Sequence, residues 1–323
     1  MKKTFWGLFT VFSAYLYSYE NSASCSSCYK NWFKGGPLSF SGLCIDQGKY
    51  KLKNYFIVEN SGNFYDTTWL PEKIPSRVGF TEVFDLRFGF LPHTDLTIVF
   101  KEQSQFLNGH SSSRIGDTAL RLGIELLHPK TPLNSFNYRL ILQQTFPTGH
   151  FKNLNPWKKD LEVSGLGYYR TGVVLAGEIL NNIHQRLLRT RLNISYGYSP
   201  KSCLLTNANL YGGGVGTKGK LGSVHDCSAI LGLEYTITQN VCLVSDFQYV
   251  FSSKAAFKGD PGLSSLGTKA LTERPVFQSI TMAPGLQINF SFNVGLNLCC
   301  WFSAAGKNTP SFQSALIELI VRN

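Results

Sequence analysis

The sequence predicts an all-β fold, an antiparallel up-and-down transmembrane β-barrel of about twelve strands, and three observations carry that prediction. Apolar and polar residues alternate with period two through most of the chain after residue 50, as they do where successive strand side chains point to opposite faces. Charged residues make up only 16% of the 323 residues while aromatics reach 14%, with 30 glycines; soluble domains average about a quarter charged. Beyond the extreme N-terminus, no stretch approaches the roughly 20 consecutive apolar residues that a membrane helix needs. Strands are then the means left for crossing a bilayer.

Taken in order, residues 1–24 read as a signal peptide. Lys2 and Lys3 precede an apolar run from Phe5 to Tyr17, followed by the small residues Ser22, Ala23 and Ser24, the layout of an export signal. Cys25 follows those small residues, but position 22 is Ser where a lipid-attachment motif wants Leu. Residues 25–49 lack alternation and are expected as a periplasmic N-terminal segment, with residues 50–323 as the barrel in the outer membrane of a Gram-negative-type bacterium.

Strands are expected near 50–60, 83–90, 94–106, 117–127, 136–147, 166–180, 186–198, 227–236, 241–252, 276–288, 294–303 and 312–322. The alternation is explicit in several. Phe84, Leu86, Phe88 and Phe90 oppose Asp85, Arg87 and Gly89; Leu120, Leu122, Ile124 and Leu126 oppose Ala119, Arg121, Gly123 and Glu125; Leu188, Leu192, Ile194 and Tyr196 oppose Arg189, Arg191, Asn193 and Ser195. Connections alternate in length. Short turns fall at 91–93, 181–185, 237–240 and 289–293, an intermediate one at 128–135, and long loops everywhere between. Membrane barrels have this asymmetry of tight periplasmic turns and longer external loops; a soluble sandwich has no reason to keep it.

Two hairpins, Gly232 to Leu243 and Gly285 to Leu296, share the spacing of Gly, the turn Asn and Val. Pro284 lies inside a strand without an N–H to give the ladder, so a bulge or irregular place in the wall is expected there. Eight cysteines in an exported chain point to an oxidising compartment. Cys203 and Cys227 bracket one long loop and could close its base as a disulfide.

The stretch Arg114-Ile-Gly-Asp-Thr-Ala-Leu-Arg-Leu-Gly-Ile-Glu-Leu-Leu127, followed by a strand from Leu140 that ends Thr145-Phe-Pro-Thr-Gly149, resembles the family of transporter-like proteins of the MetA pathway of phenol degradation. The Ala283-Pro-Gly285 hairpin is similar to that family's late hairpins. The resemblance implies an outer-membrane barrel for the passage of small, hydrophobic or aromatic, molecules, inserted by the barrel-assembly machinery. In one departure, the chain ends Ile320-Val-Arg-Asn323 where such barrels finish on an aromatic residue.

With the apolar set toward lipid, the opposite set lines the interior: Arg87, Lys101, Arg121, Arg139, Arg170, Arg189 and Arg191 with Asp85, Glu125, Glu178, Glu234 and Asp246. Buried charges must pair to be tolerable, so one reading is a structural network that blocks the lumen. The other is a pore lining whose arginines favour anionic or hydrogen-bonding solutes, with Arg189 and Arg191 as its best candidates. The loops add a basic excess, including Lys152, Lys158, Lys159, Lys201, Lys218, Lys220, Lys254, Lys258 and Lys269, within a net charge of +11. Outside a cell that charge would meet lipopolysaccharide phosphates or an acidic partner surface; it does not point to nucleic acid. Gly212-Gly-Gly-Val-Gly216 lacks the strand-to-helix setting of a phosphate cradle and is expected to be a flexible stretch. No reaction and no cofactor are expected. All six His, at 93, 110, 128, 150, 184 and 225, fall in turns or loops, leaving no strand-borne Ser–His pair. Neither His110 or His150 with Asp160 or Asp226, nor His225 with Cys227 as a metal pair, has a diagnostic spacing.

Overall fold

A computed structural model describes residues 33–127, 136–155, 158–183 and 186–323. The expected signal peptide, Cys25 and Cys28, the 128–135 turn and His184 lie outside the described residues.

The strands are β1 (Tyr50–Tyr65), β2 (Pro71–Leu91), β3 (Thr94–Leu107), β4 (His110–Ile115), β5 (Thr118–Leu127), β6 (Phe136–Phe146), β7 (Arg170–Ile183), β8 (Arg186–Ser199), β9 (Leu205–Thr206), β10 (Lys218–Leu221), β11 (Val224–Thr236), β12 (Val241–Ser252), β13 (Phe257–Asp260), β14 (Phe277–Asn289), β15 (Val294–Lys307) and β16 (Thr309–Arg322). One helical turn, α1 (Lys159–Glu162), completes the described elements. The wall is an antiparallel ladder closed by β1 against β16. It has twelve staves, because β4 and β5 both pair with β3 and form two pieces of one stave.

Alternation has turned the chain inside out relative to a soluble protein. Phe84, Phe88, Leu192, Ile194, Leu243, Phe247, Leu286 and Ile317 are exposed on the outer face, while Asp85, Arg87, Asp95, Arg139, Glu178, Arg191, Glu234, Asp246 and Glu318 are buried within. Lipid is the solvent that such an apolar belt requires.

The short turns share one end of the barrel with the start of β1 and the end of β16, where Lys51 is paired with Arg322. At the other end three connections are tighter than expected. The β3–β4 hairpin turns on Asn108-Gly109, both in the left-handed region at φ 48° and 78°, the two-residue turn that matches strand twist. Asn308 alone joins β15 to β16, at φ 51°. β2 begins twelve residues before the expected position: in its upper part, Pro71 to Glu82, the apolar set is sparse, Ile74, Val78 and Phe80 interrupted by Ser76 and flanked by Pro71 and Pro75, and its Glu72 and Lys73 pair with β1. At Pro284 the ladder to β15 is interrupted, yet the register is the same on either side, from Met282 with Phe302 to Gly285 with Cys299. The register shift lies instead between Ile280 and Thr281.

Loops 147–169, 200–223 and 253–276 pack on each other over this end. Phe151, Leu205, Leu221, Val224 and Ala255 form their core, and β13, β10 and β9 make a small sheet. The Gly212 to Gly216 run, expected to be flexible, is an ordered part of this cap. Gly212, Gly213 and Gly216 take positive φ, and backbone bridges tie Gly212 to Thr272 and Val215 to Leu263. The glycines are there for conformations and close approaches that side chains would forbid.

Candidate functional site: the occupied lumen

The inward-facing charges assemble into pairs between neighbouring strands. On one side of the lumen, Arg189 of β8 donates from Nε and Nη2 to the two carboxylate oxygens of Glu234 on β11, at 3.0 and 2.6 Å. Arg191 reaches the same Glu234 at 2.9 Å and Glu178 of β7 at 3.4 Å. Arg139 pairs with Asp95, Arg170 with Asp226 at 3.0 Å and Arg121 with Asp85 at 3.1 Å. Glu125 faces His93 at the short-turn rim, 3.5 Å away, and the stem of the half-buried Lys101 lies over Gly116. Such pairing in a low-dielectric interior offsets the desolvation of each charge.

The main finding is what fills the space between these pairs. Residues 33–49, expected below the barrel, run through its interior. Gln287 accepts from the Lys34 N–H at 3.0 Å, and Asn297 donates to the Gly35 carbonyl at 2.7 Å. Asp246 accepts the N–H groups of Leu38 and Ser39 at 2.6 and 2.9 Å. Asn193 both accepts from the Phe40 N–H and donates to its carbonyl. Glu178 accepts from Ser41 Oγ and the Gly42 N–H, and Asp95 from the Ile45 N–H. The segment leaves at β2, where Gly48 donates to the Gly89 carbonyl at 2.7 Å. A chain placed in a polar interior must satisfy its backbone groups there, and the inner face supplies side-chain acceptors in sequence. Phe33 adds an apolar anchor among Leu180, Leu187 and Cys242, with the Arg189 guanidinium over its ring at 4.7 Å.

Wall glycines make room for the segment. A Cβ on Gly89 would come within 2.2 Å of the Asp46 carbonyl, and one on Gly232 within 2.6 Å of Asp246 and Ser39. Burial also acts on Cys44: desolvation, reinforced by the Asp95 carboxylate, pushes its thiol up to about 12.

The twelve residues expected at the lumen are thus on the inner face, but most are committed. Arg189 and Arg191, singled out for a pore lining, hold Glu234 and Glu178, and Arg191 also donates to Ser39 of the segment. Sequence reasoning passed over Lys51, Lys53, Asn193, Gln287, Asn297 and Glu318 as site residues; Lys53 pairs with Glu318 at 2.6 Å. Their signal was position, on the same inward register as the charges already identified. The expected Cys203–Cys227 disulfide is absent, and both thiols are free. Cys203 packs against the loop core, whereas Cys227 faces outward from β11 opposite Tyr196. His225 is engaged by Tyr196, whose hydroxyl lies 2.7 Å from Nδ1.

A cavity of about 230 Å³ remains between the segment and β1–β3. Lys51, Lys53, Arg87, Arg121 and Arg191 line it together with a single carboxylate, Asp85.

No family model matches the chain, and no curated protein matches it in sequence. Its fold is similar to that of an outer-membrane channel from Pseudomonas putida F1, with a TM-score of 0.65 at 11% identity over 87% of this chain and 97% of that one. The translocator domain of the autotransporter NalP from Neisseria meningitidis follows at 0.48 and 11% identity, covering 87% and 90% of the two chains. The transport unit of the autotransporter AIDA-I from Escherichia coli gives 0.47 and 9%, covering 92% and 97%. At such identities the likeness bears on the fold alone.

Proposed function

We propose that the protein is an outer-membrane barrel for the passage of small molecules, in which residues 33–49 are the element that shifts to let them through. One observation carries this reading. The wall closes without the segment, β1 pairing with β16, while the segment between Lys34 and Ile45 is held by side-chain hydrogen bonds rather than by strand pairing. Its displacement would leave a complete barrel with a polar bore. The likeness in fold to the P. putida channel and the resemblance of the Gly116-Asp117 and Pro147-Thr-Gly149 strands to the transporter-like family support the same reading. In it the short-turn end is periplasmic and the basic loop cap is external.

The paired charges around Glu178, Arg189, Arg191 and Glu234 favour a second reading, a structural barrel whose lumen stays blocked. Current through planar bilayers separates the two. Asp246→Asn removes the charge from three hydrogen bonds to the segment, each of a type worth about 1.5–3 kcal/mol, so the share of open barrels is expected to rise roughly tenfold or more. Cys44 reports the same event. In a chain whose other seven cysteines are serine, its maleimide labelling at pH 8 is expected to be slow in the parent and faster in Asp246→Asn, because leaving the lumen removes the desolvation that keeps the thiol protonated. No current in either chain, with equal labelling, would favour the blocked barrel.

A further inference from the structure

The cavity beside the segment has two kinds of wall. One is charged, from Lys51, Lys53, Arg87, Arg121 and Arg191 with Asp85; the other is apolar, from Ile57, Val99, Trp301 and Leu316. Three of the cations have carboxylate partners: Lys53 on Glu318, Arg121 on Asp85, and Arg191 on Glu178 and Glu234. The other two do not. Lys51 Nζ donates to the Lys34 carbonyl at 2.5 Å. Arg87 is 7% exposed, and among the described residues its side chain makes neither a hydrogen bond nor an ion pair, its Nε buried and unpartnered.

These two residues are also directly opposite each other, Lys51 on β1 and Arg87 on β2. Like charges in that register repel, and a buried cation without a counter-charge is among the least tolerable arrangements in a protein. Asp85, the one carboxylate in the lining of the cavity, is held by Arg121 at 3.1 Å. An arrangement that is unfavourable when empty and favourable when an anion bridges it has the character of a binding site. Arginine suits a planar carboxylate because its donors match the two oxygens, and lysine adds a point charge beside it.

We propose that Lys51 and Arg87 bind the headgroup of a small organic carboxylate whose compact apolar body packs against Ile57, Val99, Trp301 and Leu316. An inorganic anion would leave the apolar wall unfilled, and a neutral solute would leave both cations unanswered. The volume suits a molecule smaller than a drug-sized ligand, whose pockets run from about 300 Å³. The role of the site as a station on a route through the barrel rests on the passage reading above; its occupancy does not.

Calorimetric titration of the full chain in detergent tests it, with benzoate, benzyl alcohol and chloride as probes. Benzoate is expected to bind saturably at one site, at least tenfold more tightly than either of the others. Arg87→Gln should weaken benzoate at least tenfold and abolish the rise in melting temperature that benzoate gives the parent. Without benzoate its melting temperature should be equal to or above the parent's, since a repulsion has been removed. Lys51→Gln should act in the same direction, and it carries the test if Arg87→Gln fails to fold. Equal binding of benzoate and benzyl alcohol, equal binding of benzoate and chloride, or unchanged benzoate affinity in the variant that folds would overturn the proposal. Bilayer current run in parallel keeps the two ideas apart: binding without current removes the passage and leaves the site, whereas current without binding does the reverse.

Discussion

The two sides of the lumen are built from the same residue types and have opposite electrostatic states. On the β7, β8, β11 and β12 side, Glu178, Glu234 and Asp246 answer Arg189, Arg191 and the backbone of the inner segment. On the β1–β3 side, Lys51 and Arg87 are side by side in register at a cavity whose one carboxylate, Asp85, is held by Arg121. An inward-facing charge in a barrel is therefore not in itself a pore residue or a structural one. Its partner decides: the answered charges fasten the segment, and the unanswered ones leave room for something from outside.

Deleting one charge from each side is the strongest way to break this comparison. Glu234→Gln takes the carboxylate partner from Arg189 and leaves Arg191 with Glu178, in a site where Glu234 is 1% exposed, and losing one member of a buried ion cluster costs about 3–5 kcal/mol. A loss of that size is expected in urea unfolding of the refolded protein in lipid. Arg87→Gln, measured in the same way, should lose nothing or gain stability. Equal losses would mean that Arg87 has a structural partner and that the two sides are alike.

Gly89→Ala sharpens the comparison at an intermediate scale by disturbing the segment without touching a charge. The new methyl would meet the Asp46 and Ile45 carbonyls. Overpacking of this kind costs about 1–3 kcal/mol. The cost should fall on the exit of the segment from the lumen, so Cys44 labelling is expected to accelerate while the wall still folds. A chain that melts much lower, with Cys44 still slow to react, would show that segment and wall are one cooperative unit.

The wall was legible in the sequence because lipid outside and polar groups inside impose period two on every stave, and a slip of one residue would send Arg189 or Glu234 into the membrane. The tops of β1 and β2 were not, since Pro71 and Pro75 read as breakers and Glu72 and Ser76 interrupt the thin apolar set of Ile74, Val78 and Phe80. The inner segment was illegible for a different reason. It forms no stave, and its partners lie far along the chain: Lys34 with Gln287, Leu38 with Asp246, Phe40 with Asn193. The clue was indirect. Gly35-Gly-Pro37 and Ser39 to Gly42 precede β1 with many backbone donors and little alternation, while the inner face carries acceptors such as Asp246 and Asn193 that no neighbouring strand satisfies. Pattern identified which residues face inward; pairing depends on which strands are neighbours and on what threads between them.

The smallest effect belongs to Arg114, which serves as the control for the larger ones. Its guanidinium lies 3.3 Å from Glu162 in the loop region, close in distance to the Arg191–Glu178 pair, but its side chain is 46% exposed where that of Arg191 is 2%. Water screens the outer pair and solvates either partner when the other is removed, so such contacts are worth about 0–1 kcal/mol. Arg114→Ala is expected to change unfolding stability by less than about 1 kcal/mol, and added salt should shrink even that. If Arg114→Ala proved as costly as Glu234→Gln, burial would not be what distinguishes the charges of the lumen, and the contrast between its two sides would have to rest on geometry alone.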